Sequence, residues 1–245
     1  MDNTLYVALS RQMVLSRQMD IVANNIANTD TTAFKVEDLM QQTDAQAPAL
    51  TAEAPVPVKF VTAAGVARNF TQGAFSRTGS TLDVAIDGQG FFRVSTSGGE
   101  RYTRDGHFRM DDAGRIVTQG GDPVLDDGGS EITIDPTLGP VAIGEDGSIT
   151  QGGRQVGTLG VVAFGNRSTL EKTGDNLYQN TSNQQPQTDE TSRLRQGMLE
   201  SSNVQPMREI TQLIEVSRAY EQIAHMMDAT ADLSKTAVER LGKTQ

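Results

Sequence analysis

Apolar residues recur at helical spacing near the N-terminal end of the chain. The pattern predicts a helix from about Thr4 to Ala27. Its apolar stripe follows alternating steps of three and four residues, with one polar interruption: Leu5, Ala8, Gln12, Leu15, Met19, Val22 and Ile26. Positions with this spacing share one face of an α-helix, which therefore has an apolar side to bury.

A second, longer stripe lies at the C-terminal end and keeps a heptad rhythm. Its positions are Ile210, Leu213, Ser217, Tyr220, Ala224, Met227, Ala231, Ser234, Val238 and Leu241. Pro206 suits the first turn of this helix, and Asn203 or Ser202 can cap it. The two stripes fit a helical hairpin packed on the rest of one chain. They also fit terminal helices that pair with each other and with copies of themselves, and we favour this interpretation because small residues in the seam permit close approach.

The middle of the chain has the pattern of antiparallel β structure. Of the 24 glycines, 21 lie between Gly73 and Gly174, where Asp-Gly pairs separate short β-rich runs. Asp-Gly favours the backbone conformations of two-residue hairpins. The predicted strands are 82–86, 91–96, 102–104, 107–110, 115–118, 131–134 and 156–164.

These patterns predict an α+β fold, with a discontinuous helical coiled-coil domain from both chain ends and a central antiparallel β-rich domain. The predicted boundaries are 1–33 for the N-terminal helix, 34–80 for an extended linker, 81–196 for the β-rich domain and 197–245 for the C-terminal helix. Because unpartnered helices are marginal in water, we expect the ends to be disordered in the free monomer. Limited proteolysis should then leave a fragment that begins between residues 60 and 80 and ends near residue 195.

Charge and composition narrow the function classes. The net charge is −10, and the chain contains no cysteine. The negative charge argues against nucleic acid as a partner, and the missing cysteines exclude disulfides, thiolate zinc sites and a cysteine nucleophile. No apolar window is long enough for a transmembrane segment. The N-terminus lacks the basic region of a secretory signal, so we expect export, if it occurs, to need no cleavable signal peptide.

The candidate catalytic groups have simpler interpretations as turn residues. Five aspartates lie close together in the sequence: Asp83, Asp87, Asp105, Asp111 and Asp112. Most of them belong to Asp-Gly or similar turns, so a glycosidase-like carboxylate pair is the weaker alternative. His107 and His225 are the only histidines and fall in different predicted regions. The sequence therefore predicts no catalytic, metal or cofactor site, and a protein that is not an enzyme.

Five ordered motifs resemble those of the bacterial flagellar rod and hook proteins. They are Ala23-Asn-Asn-Ile-Ala-Asn28 followed by Thr29-Asp-Thr-Thr-Ala-Phe-Lys35, Leu82-Asp-Val-Ala-Ile-Asp-Gly-Gln-Gly-Phe-Phe92, Tyr102-Thr-Arg-Asp-Gly106, Glu200-Ser-Ser-Asn-Val204 and Arg218-Ala-Tyr-Glu221. One departure is Ala33, where the family usually has glycine. Alanine favours an α-to-extended transition at this turn rather than a positive φ.

The resemblance implies a structural subunit of the flagellar basal-body rod, which polymerises through its terminal helices into a drive shaft that transmits motor torque. The short middle region and the Met1-Asp-Asn-Thr-Leu-Tyr6 start are most similar to proximal rod members. A distal rod or hook subunit is the alternative within the family. A wall-associated carbohydrate-binding or hydrolytic β domain is the alternative from another class.

The resemblance also implies partners, location and contact residues. The partners are copies of the chain, neighbouring rod proteins and the flagellar type III export apparatus, and the location is the rod in the periplasm. The predicted assembly interface contains Leu5, Leu15, Met19, Val22, Asn24, Asn25, Ile26, Ile210, Leu213, Tyr220, Met227 and Val238. The family-motif residues with a predicted structural role are Asn28, Phe34, Lys35, Gly88, Gly90, Glu200, Asn203 and Val204. Asn28 is expected to cap the first helix in the left-handed region.

Overall fold

A computed structural model of the protein describes residues 2–48, 57–182, 184–189 and 191–242. Two long helices lie at the ends of the chain, α1 at Asp2–Ala27 and α2 at Pro206–Gly242. Both predicted helices are therefore confirmed. Two short 3₁₀ helices, Pro136–Leu138 and Arg167–Thr169, lie in the middle of the chain.

The strands occupy the region between the two helices. The first eight are β1 (Glu37–Pro48), β2 (Pro57–Arg68), β3 (Phe75–Arg77), β4 (Val84–Asp87), β5 (Phe91–Thr96), β6 (Gly99–Thr103), β7 (Arg109–Met110) and β8 (Ile116–Val117). The others are β9 (Val141–Ile143), β10 (Ser148–Gln151), β11 (Arg154–Thr158), β12 (Val161–Ala163), β13 (Leu170–Gly174), β14 (Leu177–Asn180), β15 (Gln187–Thr188), β16 (Arg193–Gln196) and β17 (Met198–Glu200). The pairings of these strands are antiparallel, so the coarse α+β prediction is confirmed.

The chain divides into two compact units, and the first contains both helices. It comprises residues 1–27, 37–69 and 205–245, and α1 contacts α2 within it. The segment 34–80, predicted as an extended linker, differs from that prediction. Strands β1 and β2 pair along twelve residues each, from Glu37 opposite Arg68 to Pro48 opposite Pro57, and both contact α1. The composition of this segment indicated a linker because the two strands pack on α1, a contact that the local sequence does not reveal. The tip of the ribbon, residues 49–56, lies outside the described residues.

The second unit comprises residues 28–36 and 70–204 and holds the β core. Its largest sheet has six strands in the order β13-β14-β6-β5-β12-β15, and a three-stranded sheet has the order β11-β10-β9. One buried cluster packs aliphatic side chains such as Ile86, Ile149 and Leu159 around Phe92. A second cluster groups Phe91, Tyr102 and Tyr178, whose rings are joined by edge contacts to Phe70 and Phe164.

Two of the predicted strands differ from the structure. The run 131–134 makes only isolated bridges, from Glu131 to Leu125 and from Thr133 to Arg115. The run 156–164 divides into β11 and β12 at Gly160, where a Cβ atom would lie 2.6 Å from the backbone oxygen of Asp126. That close approach requires glycine and bends the chain from one sheet into another, which apolar continuity does not reveal.

Candidate assembly site and motif junction

The apolar seam of α1 packs inside the helical unit. Leu15 and Val22 are each 2% exposed, and Ala8 and Val14 are also buried. On α2 the buried positions are Glu209 and Val216, one residue before the predicted Ile210 and Ser217. The face of α2 that meets the chain therefore includes Glu209 and Val216, which the predicted stripe omits, beside the half-buried Leu213, Tyr220 and Met227, which it contains. Ile210, predicted in the seam, is instead 43% exposed.

The predicted interface residues fall into three groups by exposure. Leu15, Val22 and Asn25 are buried. The half-buried residues are Leu5, Met19, Ile26, Leu213, Tyr220 and Met227. Asn24 and Ile210 are exposed, and the side chain of Val238 lies outside the described residues. Much of the predicted seam is thus covered by the chain itself.

Asn25 connects three separate elements within the helical unit. Its side-chain nitrogen donates to the carbonyl of Glu37 at 2.9 Å and to the Glu209 carboxylate at 3.0 Å. Its side-chain oxygen accepts a hydrogen bond from the backbone N–H of Glu37 at 3.0 Å. Asn25 is fully buried within the chain, and the inter-subunit role expected for it stays a prediction. The amide holds the end of α1, the start of β1 and the first turn of α2 together.

A buried ionic network lies inside the β unit and is centred on Glu200. The carboxylate accepts a hydrogen bond from Lys35 Nζ at 2.5 Å and from Arg104 Nε at 2.8 Å. It also accepts the backbone N–H of Gly73 at 2.8 Å. All three charged side chains are almost completely buried. Lys35 and Arg104, which lie 165 and 96 positions before Glu200 in the sequence, therefore both contact its carboxylate.

Arg104 extends this network to the loop that contains Gly88 and Gly90. Its guanidinium donates to the carbonyls of Gly90 at 2.9 Å, Gly88 at 3.0 Å and Ile86 at 3.3 Å. Gly88 has a φ of +148°, and a Cβ atom there would collide with the side chain of Ser192. Four of the five family motifs therefore join through one arginine and one glutamate, a role that the predictions did not assign to Arg104.

The electrostatic balance of this network is uneven, because two cations share one carboxylate. Burial is the main cause that lowers the pKa of Lys35, and the attraction of Glu200 opposes it. Lys35 Nζ has a second acceptor, the carbonyl of Thr71 at 2.8 Å. The geometry supports a structural role, in which the network holds the segments around Lys35, Gly73, Gly90, Arg104 and Glu200 together.

The turn after α1 differs from the sequence expectation. Ala33 has a φ of +55°, is 1% exposed and donates its backbone N–H to the carbonyl of Glu200 at 2.7 Å. An alanine thus occupies the left-handed conformation that glycine adopts most readily, because the tertiary contact holds it there. Asn28 has no positive φ; it ends the helix through a turn in which Thr31 donates to its backbone and side-chain oxygens.

The remaining motif residues support this junction. Phe34 is 1% exposed and lies under Lys172, whose Nζ is 4.2 Å from the ring centre. Asn203 Oδ1 accepts the backbone N–H of Val36 at 2.8 Å, and its side-chain nitrogen donates to the Thr71 carbonyl at 3.0 Å. Val204 is buried at the end of the unit.

The aspartates considered as catalytic candidates are mostly turn residues. Asp105 and Asp111 accept backbone N–H groups two residues further on, and Asp87 pairs with Arg195 at 2.6 Å. Burial raises the pKa of Asp105, and the nearby Asp83 carboxylate adds to that effect. In the described part of the chain, no three His, Cys, Asp or Glu side chains are grouped so as to hold a metal ion. Among the same residues, no helix has an apolar stretch long enough to cross a membrane.

Comparisons with known proteins agree with the motif pattern. Residues 5–35 match the family model described as flagella basal body rod protein, and residues 195–240 match the C-terminal model of the flagellar basal body rod FlgEFG proteins. Residues 85–151 match the D1 domain of the flagellar hook proteins FlgE/F/G. All three models cover segments in which the sequence motifs lie.

The similarity to individual proteins extends over nearly the whole chain. The flagellar basal-body rod protein FlgF of Caulobacter vibrioides is 60% identical, and the alignment covers 99% of both chains. FlgF of Mesorhizobium japonicum is 36% identical over 99% of both chains, and FlgG of Bacillus subtilis is 32% identical over 96% of this chain and 97% of its own. The chain therefore belongs to the flagellar basal-body rod protein family, is FlgF-like, and is a structural subunit of the flagellar rod.

Proposed function

We propose that the chain is a proximal rod subunit and that its two terminal helices form the polymerising layer of the drive shaft. The observation that carries this assignment is the 60% identity to a FlgF over 99% of both chains, against 32% to 38% for the FlgG relatives. A distal rod subunit is the alternative within the family.

The arrangement of the helical unit supports polymerisation through the helices. One face of the pair is closed inside the chain by Leu15, Val22 and Val216, and this closure supplies a preformed surface. Among the side chains that the structure describes, eight large apolar ones of α1 and α2 remain 43% or more exposed: Tyr6, Leu9, Met13, Met207, Ile210, Ile214, Met226 and Leu233. Exposed apolar groups at helical spacing are typical of surfaces that other helices cover. In the assembled rod these helices form a coiled layer.

The finer assignments follow from the same proposal. The subunit resides in the periplasmic rod, reaches it through the flagellar type III export apparatus without a cleavable signal, and contacts copies of itself and neighbouring rod proteins. Its role is mechanical: it carries torque and has no catalytic activity. The Glu200 network suits that role, since it fastens both ends of the β unit to its core.

Fractionation of the cell envelope tests the assignment. A tagged copy that replaces the native gene should co-purify with intact basal bodies and support swimming. The matched reference is a tagged FlgG from the same strain, which reports whether rods were recovered. Recovery of the tagged chain only in the cytosol, while rods are present, would overturn the proposal. Partial rods that lack only their distal part in a deletion strain would favour the distal alternative.

A further inference from the structure

A polar cavity of about 400 Å³ lies in the β unit and is partly open to solvent. Three segments that are distant in the chain form its walls: residues 103–107, 118–122 and 175–177. The carboxylates of Asp105, Asp122 and Asp175 line it, together with hydroxyl and amide side chains. None of the described residues that line the cavity is a lysine or an arginine. The cavity is therefore an acidic recess without a cation of its own.

The negative charge of the cavity is not balanced by neighbouring side chains. In the part of the chain that the structure describes, none of the three lining carboxylates forms an ion pair. The guanidinium of Arg109 lies near Gly121 but does not line the cavity. Burial is the largest cause that raises the pKa of Asp105, as expected for a carboxylate that lacks a nearby cation. A bound cation would relieve this imbalance.

An unpartnered carboxylate oxygen beside the cavity is a second, independent sign of a missing ligand. The side chain of Asp83 is 5% exposed, and its Oδ1 accepts no hydrogen bond from any described residue. This oxygen faces Nε2 of His107, a lining residue, at 4.0 Å, which is beyond hydrogen-bond distance. Asp83 and His107 form an antiparallel bridge, so their side chains lie on the same side of the backbone pair. A buried oxygen without a donor is costly, which indicates that a donor arrives from outside the chain.

We infer that this cavity binds the guanidinium group of an arginine side chain supplied by a basic partner protein. A guanidinium is planar, stays charged and carries five N–H donors, so it can pair with Asp105 and Asp122 at once. One of its N–H groups is the donor that Asp83 lacks. Leu177, the apolar residue of the lining, packs on the aliphatic part of the arginine side chain. The inference does not depend on the proposed function.

Charge and chemistry distinguish this ligand from its competitors. Residues 70–204 contain 11 basic and 18 acidic side chains, a net charge of −7, so the β units of two copies repel each other while a basic partner is attracted. Among the described residues, no three His, Cys, Asp or Glu side chains are grouped to hold a metal ion. A lysine ammonium is a compact charge with three donors and satisfies fewer of the acceptors than an arginine does.

NMR titration of the isotope-labelled full chain with N-acetylarginine amide tests the site. Backbone resonances of residues 103–107, 118–122 and 175–177 should shift together and saturate with a Kd on the order of 1 mM. N-acetylcitrulline amide has nearly the same shape without the charge and should bind about tenfold more weakly. N-acetyllysine amide should also bind more weakly than the arginine probe. No saturable shift at these residues, equal binding of the citrulline probe, or equal or tighter binding of the lysine probe would overturn the inference.

Two substitutions and a matched control locate the binding. Asp122→Asn removes a lining charge and should weaken binding of N-acetylarginine amide about threefold, and Asp83→Asn, which replaces an unpaired carboxylate with an amide of the same size, should also weaken it. Resonances of strands away from the cavity report whether each variant keeps its fold. Asp112→Asn removes the same charge at an exposed position outside the lining and should leave the Kd unchanged.

Two further outcomes would contradict the inference. Equal weakening by Asp112→Asn and Asp122→Asn would show that the probe responds only to the overall negative charge. Shifts of the cavity resonances when the concentration of the chain alone is raised would identify a second copy as the occupant, in place of a basic partner. Neither outcome affects the assignment of the chain to the rod.

Discussion

Glu200 is the residue on which the β unit depends most directly. Among the described residues, its carboxylate is the one anion paired with the two buried cations Lys35 and Arg104, and it also accepts the backbone N–H of Gly73. Removal of one partner from a buried ion network is costly because it leaves uncompensated charge, whereas removal of the surplus partner is less costly. At this scale the network predicts unequal effects for substitutions at its members.

Glu200→Gln should lower the free energy of unfolding of the β unit by about 3 kcal/mol or more, because two cations lose their only counter-charge. Lys35→Met should cost less, about 1 kcal/mol, since the Glu200–Arg104 pair remains and a buried ammonium disappears. Urea titrations followed by circular dichroism measure both values. An equal decrease in the free energy of unfolding for the two variants would contradict the interpretation that one carboxylate balances two cations.

The lowered pKa of Lys35 also predicts a pH dependence. Burial lowers its pKa in the folded state, while in the unfolded chain the ordinary value is about 10.4. Between these values the unfolded state binds more protons, so the free energy of unfolding rises with pH in that alkaline window and falls as pH decreases through it.

Urea titrations of the native chain and of Lys35→Met between pH 7 and 10 measure this effect. The native chain should gain stability relative to the variant as the pH approaches 10. Burial raises the pKa of Tyr102 to about 12, so its ionisation in the unfolded state opposes the trend above pH 10 and the comparison stops there. A constant difference between the two proteins would contradict the assignment to Lys35.

At the scale of elements, the helical pair depends on a narrow seam rather than on every position of the two stripes. Leu15 and Val22 of α1 are buried, while Ile210 of α2 points outward in spite of its heptad position. The buried Asn25–Glu209 hydrogen bond fixes which turns of α1 and α2 lie opposite each other. Each helix therefore has one face for its own chain and another available to a neighbour.

Leu15→Asp should destabilise the helical pair and abolish rod incorporation and swimming. The substitution removes roughly 2 kcal/mol of apolar burial and places a carboxylate in an apolar seam. Ser97→Asp adds the same carboxylate at an exposed turn position of the β unit, outside both helices, and should leave swimming nearly normal. Motility in soft agar and immunoblots of basal bodies distinguish them; equal phenotypes would show that the seam is not required.

At the scale of the whole molecule, the two units are each built from segments that are distant in the chain. The β unit needs residues 28–36 and 200–204 as well as its central strands. The helical unit takes the β1–β2 ribbon, which the sequence had indicated as a linker. Each unit therefore contains segments that the sequence assigned to a different domain: the helical unit contains residues 37–69, and the β unit contains residues 28–33 and 197–204.

Limited proteolysis of the monomer should therefore give a different fragment from the one that the sequence predicted. A cut near residue 195 would remove Glu200 and expose two buried cations, so the protected body should extend to about Val204 and retain residues 28–36. Intact mass spectrometry of the resistant species identifies the boundaries. A stable fragment of residues 70–195 alone would show that the Glu200 network is dispensable.

The sequence by itself determined both helices, the antiparallel β character of the middle and the family, because each depends on local information. Helical periodicity, Asp-Gly turns and contiguous motifs are visible without knowledge of distant contacts. These features were predicted close to their observed positions, with β5 matching residue for residue.

Only the tertiary structure decided which residues meet. The exposure of Ile210, the positive φ of Ala33 and the convergence of Lys35, Arg104 and Glu200 all result from packing between segments far apart in sequence. A stripe gives the period of a helix but does not tell which of its adjacent faces a partner will cover. A charged residue in a motif likewise does not reveal its counter-charge, because burial and pairing arise together when the chain closes around them.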